Sequence, residues 1–172
     1  MKRILIIGCS GAGKSTLARQ LGDITGLPVV HLDSLFWKPG WVESTREEID
    51  EKIRLALAED RWILDGNYSR TLPMRLERCD SVIFLDYPRW LCLWGVVKRV
   101  AKSYGKVRPD MPDGCPERID WELLQWVWNF HKNVRPKLIT ALENAPDVQL
   151  TVLKNRTEAA KFLERVASGH FL

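Results

Sequence analysis

An α/β fold, with a five-stranded parallel sheet and helices on both faces, is predicted by three features of this 172-residue chain. Short β-branched or apolar runs alternate five times with segments of helical period. The first run leads directly into a glycine-rich turn, and the next three end on Asp33, Asp65 and Asp86. The composition, 45% hydrophobic and 28% charged with 11 Gly and 9 Pro, is that of a globular chain. A chain of this length buries roughly 70% of its unfolded surface, so its core needs neither disulfides nor a structural metal.

The first strand spans Arg3 to Ile7. Leu17, Leu21 and Ile24 then repeat at helical spacing, and Gly26 with Pro28 ends that helix. Val29 to Leu32 is the second strand, followed by a loop through Lys38-Pro39-Gly40. Thr45 and Glu48 form a capping box, and Ile49, Ile53 and Leu57 mark the buried stripe of the helix behind it. Strands follow at Trp62 to Leu64 and Ser81 to Leu85. Trp90 to Tyr104 is helical, Gly105 to Pro116 a basic loop, and Ile119 to Asn133 a Trp-rich helix with Trp121 and Trp128 on one packed face. Pro136 breaks it and starts another helix through Leu142. The fifth strand is Val148 to Leu153, and Thr157 caps the last helix. No internal repeat or linker divides the chain, so one domain spanning 1–172 is expected, with a lid-like segment at about 99–135.

Cys9, Cys79, Cys92 and Cys115 lie far apart, and His31, His131 and His170 are scattered, which argues against a zinc module or disulfide scaffold. Four apolar residues after Met1-Lys2-Arg3 are too few for a signal-peptide core. The longest apolar run elsewhere, Trp90 to Val97, falls well short of the roughly 18 residues that span a bilayer. These features read as a soluble cytoplasmic protein, and its size as a monomer.

Net charge is +4, and residues 88–118 hold the whole excess, with seven basic and three acidic side chains. Either a polyanion meets that segment or the excess charge has no particular partner.

Gly8-Cys9-Ser10-Gly11-Ala12-Gly13-Lys14-Ser15 fits G-x-x-x-x-G-K-[ST] in full, between a strand and an amphipathic helix. Its glycines let the backbone curl so that successive N–H groups, including those of Ser10, Ala12 and Thr16, face a phosphate chain. The helix N-terminus adds partial positive charge. Lys14 is placed to reach the β- and γ-phosphates of ATP, and the Ser15 hydroxyl to ligand Mg2+. A second, metal-side carboxylate is needed at the end of a neighbouring strand, where Asp33, Asp65 and Asp86 all stand. Asp86 suits a cap for the turn before Pro88. Asp33, an acid after the second strand, is similar in place to the one with which shikimate-kinase-like enzymes hold metal or a hydroxyl acceptor, which implies a general base if the acceptor is an alcohol.

Trp62-Ile63-Leu64-Asp65-Gly66-Asn67-Tyr68-Ser69-Arg70-Thr71-Leu72 resembles the adenylate-kinase segment L-D-G-F-P-R-T, with one extra residue before the arginine. The resemblance implies that Asp65 orders the Mg2+ hydration shell and that Arg70 grips an acceptor phosphate. His31 to Trp41, Pro88 to Trp94 and Arg108-Pro109-Asp110-Met111 resemble the bacterial "DNA topology modulation protein" group of adenylate-kinase-related P-loop proteins. That resemblance implies a P-loop NTPase fold of adenylate- and shikimate-kinase type.

In such enzymes a mobile lid supplies arginines to the transferring group. Arg99 and Arg108 are the candidates here, within a cluster that includes Lys98 and Lys102. Trp37 and Trp41 flank the expected acceptor loop and either stack a ring or pack in the core. Arg156 either stacks on adenine or belongs to a plain helix-start loop. Arg135 is a second lid arginine or a surface residue. The function expected is Mg-ATP-dependent phosphotransfer to a small molecule, a nucleoside monophosphate or a hydroxyl compound. The alternative is a nucleic-acid modulator or nucleotide switch using the basic segment.

Overall fold

The computed structural model describes residues 1–169, so His170 lies outside the described residues. In chain order the elements are β1 (Arg3–Gly8), α1 (Lys14–Thr25), β2 (Val29–His31), α2 (Leu32–Phe36), β3 (Trp37–Lys38), β4 (Val42–Glu43), α3 (Arg46–Ala58) and β5 (Trp62–Asp65). A single 3-10 turn at Ser69–Thr71 leads to α4 (Leu72–Leu76). Then come β6 (Ser81–Leu85), α5 (Arg89–Ser103), α6 (Trp121–Asn133), α7 (Arg135–Glu143), β7 (Gln149–Leu153) and α8 (Arg156–Ala167).

The main sheet is fully parallel, in the order β2-β5-β1-β6-β7. Ile4, Leu5, Ile6 and Ile7 of the central strand are fully buried, as are nearly all residues of β5 and β6. Strands buried on both sides require helices on both faces, which is why they read as continuous apolar runs. The chain leaves β1, crosses to β2 and β5 on one side, and later fills β6 and β7 on the other. The carboxyl end of β1 is therefore a switch point, where open α/β sheets hold their ligands. Register pairs Ile6 and His31 each with Asp65, and Gly8 with Leu85, so the strand ends gather there.

Local chemistry accounts for most boundaries. Thr45 accepts from the Glu48 amide while the Glu48 carboxylate accepts from the Thr45 amide, so the capping box at α3 forms as expected. Asn155, not Thr157, caps α8. Its Oδ1 accepts from the Glu158 amide at 2.9 Å, and the amide two residues earlier than Thr157 is better placed for the first turn. Asp120 caps α6 in the same way. The segment after β2, expected as a loop, forms the short helix α2 and the β3–β4 hairpin. Two-residue strands carry no periodic signal. Trp121 and Trp128 also depart from expectation. They are 77% and 54% exposed, and α6 packs through Val127 and Phe130. Arg89 covers the Trp128 ring at 5.0 Å instead.

Helix α5 approaches the glycine-rich turn unusually closely. A Cβ on Gly95 would lie 2.0 Å from the Gly11 carbonyl oxygen, and one on Gly11 would lie 2.1 Å from the Cys92 carbonyl oxygen. Two glycines facing each other thus set the depth at which α5 sits. We predict that Gly95→Ala lowers stability by about 1–3 kcal/mol through overpacking, read as a shift in the urea midpoint. A wild-type midpoint would mean that α5 moves freely relative to the turn.

Candidate active site

The turn from Gly8 to Ser15 runs from β1 into α1. Gly13 caps α1 with φ 97°, and no side chain caps the first turn by a hydrogen bond. The amides there have no partner within the helix and point at whatever sits above the turn. Lys14 donates from Nζ to the Cys9 carbonyl at 3.1 Å, so its ammonium lies over the loop.

Two residues that the sequence reading did not single out hold this turn in shape. Asn67 clamps Gly8 from both sides: its Oδ1 accepts from the Gly8 amide at 3.0 Å and its Nδ2 donates to the Gly8 carbonyl at 2.7 Å. Arg75, fully buried, donates in turn to the carbonyls of Gly66, Asn67, Tyr68 and Thr71. Burial pushes the Arg75 pKa down to about 9, which still leaves it charged at neutral pH. A cation satisfied by carbonyls alone fixes the loop after β5, and that loop fixes β1.

Of the three strand-end aspartates, Asp65 is the one joined to the turn. Its Oδ2 accepts from Ser15 Oγ at 2.8 Å, and its Oδ1 meets His31 Nδ1 at the end of β2. Burial disfavours the imidazolium, but the hydrogen bond and charge of Asp65 outweigh it and hold the His31 pKa above its ordinary value. Asp33 stands in the first turn of α2. Its carboxylate makes no hydrogen bond among the described residues, and it lies in the fields of Lys14, Asp65, Arg108 and Asp110. Withdrawal from water raises its pKa.

The basic segment carries its own counter-charges. Arg99 pairs with Glu117 at 3.2 Å, and Arg108 pairs with Asp110 and Glu117 at 2.7 Å each. Asp110 and Glu117 are only 4% and 5% exposed. Arg19 on α1 lies 3.8 Å from Asp110. Both arginines expected to bind phosphate thus converge beside Asp33, already neutralised by two buried acids. Burial, and then Arg108, push the Arg99 pKa down. The same segment touches the β3–β4 hairpin: Gly40 donates its amide to the Gly114 carbonyl at 3.0 Å, Cys115 Sγ donates to the Lys38 carbonyl, and Arg118 covers the Trp41 ring.

Other candidates lie elsewhere. Arg70 is exposed and ion-paired with Asp50 of α3 at 2.7 Å. Asp86 does not cap the turn before Pro88. Its carboxylate accepts two hydrogen bonds from Arg135, at 2.7 Å each, which also settles Arg135 as a structural partner. Arg156, exposed at the start of α8, acts on Tyr87 and on Cys92 of α5. Trp37 and Trp41 meet edge to face, with Phe36 against Trp37 and Tyr68 against Phe36. The signals for the missed residues were weak. His31 and Asn67 flank the expected acid positions in sequence, whereas Arg75 and Gly95 read as ordinary helix residues.

The sheet order and the glycine-rich turn define a P-loop α/β protein. The family model for the AAA domain matches residues 4–100, more than half of the chain, and the chain belongs to that family. It is 29% identical to the adenylate kinase of Thermotoga petrophila over 92 residues, covering 52% of this chain and 41% of that protein. It is 25% identical to the adenylate kinase of a Cyanothece strain over 183 aligned positions, covering 88% and 92% of the two chains. The match thus spans about two fifths of the length of the Thermotoga relative. Among solved structures, a shikimate kinase from Acinetobacter baumannii in complex with shikimate superposes with a TM-score of 0.61 at 15% identity, covering 99% of this chain and 93% of that one. A shikimate kinase from Bacteroides thetaiotaomicron gives 0.56 at 17% identity, with 99% of both chains covered. The fold is that of the P-loop kinases.

The His31–Asp65 contact has a definite pH signature. A histidine whose folded pKa is raised contributes fully below its unfolded value of about 6.5 and loses that contribution as pH rises through the folded pKa. His31→Leu should therefore cost more stability at pH 6 than at pH 9, compared through urea midpoints. An equal cost at both would show that the pair carries no charge.

Proposed function

We propose that this chain is a Mg2+- and ATP-dependent phosphotransferase acting on a small-molecule acceptor. The observation that carries the reading is the 2.8 Å hydrogen bond from Ser15 Oγ to Asp65 Oδ2 across the mouth of the P-loop. A hydroxyl in the first turn of α1 and a carboxylate at the end of β5, beside uncapped helix amides, suit a hydrated divalent cation held against a phosphate chain. Ser15 and Asp65 are the residues that would hold Mg2+. When bound, the ion supplies charge neutralisation to the β- and γ-phosphates.

The remaining work falls to the chain. Backbone amides from Gly8, Ser10, Gly11, Ala12, Gly13, Lys14, Ser15 and Thr16 cradle the phosphates. Lys14 leaves the Cys9 carbonyl for a phosphate oxygen. Arg99 and Arg108 stabilise charge on the transferring group, and the segment at about 99–135 excludes water as a lid. Arg156 borders the adenine side. Asp33 holds the acceptor hydroxyl and takes its proton. Arg70, in the segment that resembles adenylate kinase and held by an exposed pair with Asp50, is the residue that would grip a phosphate on the acceptor.

The finer kinship, to the bacterial "DNA topology modulation protein" group, is included in the proposal on the strength of the His31–Trp41 segment. It does not require nucleic-acid binding. Arg99 and Arg108 are paired with Glu117 and Asp110, so part of the segment's positive charge is balanced locally and less is left for a polyanion.

ADP formation from Mg-ATP with pooled acceptors tests the reading. Lys14→Ala should reduce it by about 100-fold or more, the scale of losing a charge that stabilises the transition state. Arg108→Ala should lower kcat more than it weakens ATP binding. Full activity in Lys14→Ala overturns the assignment, and wild-type kcat in Arg108→Ala removes that residue from it.

A further inference from the structure

Helices α5 and α6 are each apolar on two sides. On α5, Cys92 and Val96 are buried in the core, while Trp90, Trp94 and Val97 are 60%, 59% and 49% exposed on the other side. On α6, Val127 and Phe130 are buried, and Trp121 and Trp128 face water. Positions i, i+4 and i+7 on α5, and i and i+7 on α6, each form one stripe. A helix needs a single apolar stripe to join its core, and one that is apolar on both sides is ordinarily covered on both.

The two outer stripes are neighbours. Arg89 at the start of α5 covers the Trp128 ring near the end of α6, and Arg99 near the end of α5 pairs with Glu117 just before α6. The helices are therefore antiparallel, with Trp128 beside the start of α5 and Trp121 beside its later turns. Together the five side chains make one face. At up to about 250 Å2 per indole, its four tryptophans leave roughly 600 Å2 in contact with water. That is the upper end for the largest apolar patch of an ordinary monomer, about 300–600 Å2. It also suffices for the apolar part of a standard interface, which buries about 800 Å2 per partner, somewhat over half of it non-polar.

The two borders of the face carry opposite charge. Arg89 and Arg99 mark the side of α5 that meets α6, which puts Lys98 and Lys102 on its outer border. Trp128 marks the side of α6 that meets α5, which puts Glu122 on the outer border there. None of these three makes an ion pair among the described residues. A twofold axis parallel to the helices sets α5 of each copy on α6 of the other, so each lysine border meets a Glu122 border. An axis across the helices would set lysines against lysines. A polyanion or anionic bilayer would match the lysine border and be opposed by Glu122.

We propose that the tryptophan face of α5 and α6 is covered by the same face of a second copy of this chain, in a twofold dimer with α5 of each copy packed on α6 of the other. This differs from the monomer that the chain's size suggests. It uses none of the residues of the phosphate-binding turn and stands apart from the phosphotransferase reading.

Sedimentation equilibrium of the full chain at about 1–100 μM, where interfaces of this size self-associate, should give twice the chain's mass. Trp94→Glu and Trp121→Glu, both at exposed positions, should each raise the dissociation constant by about 30-fold or more. Their far-UV circular dichroism should stay that of the wild type. Glu122→Lys should weaken the dimer by about tenfold, and adding Lys98→Glu to it should restore the wild-type constant. A monomer at every concentration overturns the inference. A dimer that survives both tryptophan substitutions overturns it too, because its interface lies elsewhere. Failure of the charge exchange to recover overturns the packing of α5 on α6. A monomer that binds phosphatidylglycerol vesicles or a single-stranded oligonucleotide, and loses that binding in Trp94→Glu, overturns the dimer and gives the face to that surface instead.

Discussion

One carboxylate, Asp65, joins the three parts on which the site depends. Through Oδ2 it receives the Ser15 hydroxyl from the first turn of α1, and through Oδ1 it meets His31 at the end of β2. It does so from a buried position on β5, between the two strands it connects. A buried carboxylate is tolerable only when its lone pairs are filled. The contacts that satisfy Asp65 therefore also set the distance between the glycine-rich turn and the segment after β2. Asp33, two residues beyond His31, takes its place from the same constraint.

The turn itself is supported from below and above. Arg75 gathers four carbonyls of the loop after β5, that loop carries Asn67, and Asn67 holds both polar groups of Gly8. From the other side, α5 rests on the turn through the Gly11–Gly95 contact. A phosphate-binding loop has to present its amides in a fixed arrangement before any ligand arrives, because ordering it on binding would cost affinity. Packing on both sides supplies that rigidity.

Charge in the crevice is balanced internally. Asp110 and Glu117, nearly inaccessible to water, hold Arg99 and Arg108 in place. Arginines positioned by acids keep their geometry and are less free to bind an arbitrary anion. The net charge of +4 carried by residues 88–118 is thus resolved into buried pairs near the site and exposed lysines outside it. A count of charges along the chain does not separate the two populations.

What the sequence by itself determined was the strand–turn–helix carrying Gly8 to Ser15, the five-strand alternation and the capping box at Thr45. Each depends on contiguous residues: glycine conformations, helical spacing, or a side chain reaching an amide three positions on. Spacing alone did not separate Asp33, Asp65 and Asp86, which end three strands in much the same way; only the resemblance to the adenylate-kinase segment set Asp65 apart. The tertiary structure decided that, because the sheet order sets β5 beside β1 and turns Asp65 to Ser15, while Asp86 is taken by Arg135 from a helix about fifty residues away. It likewise assigned Arg70 to Asp50 and exposed Trp121 and Trp128. These outcomes rest on which surfaces meet across the fold, and spacing along the chain carries no record of that.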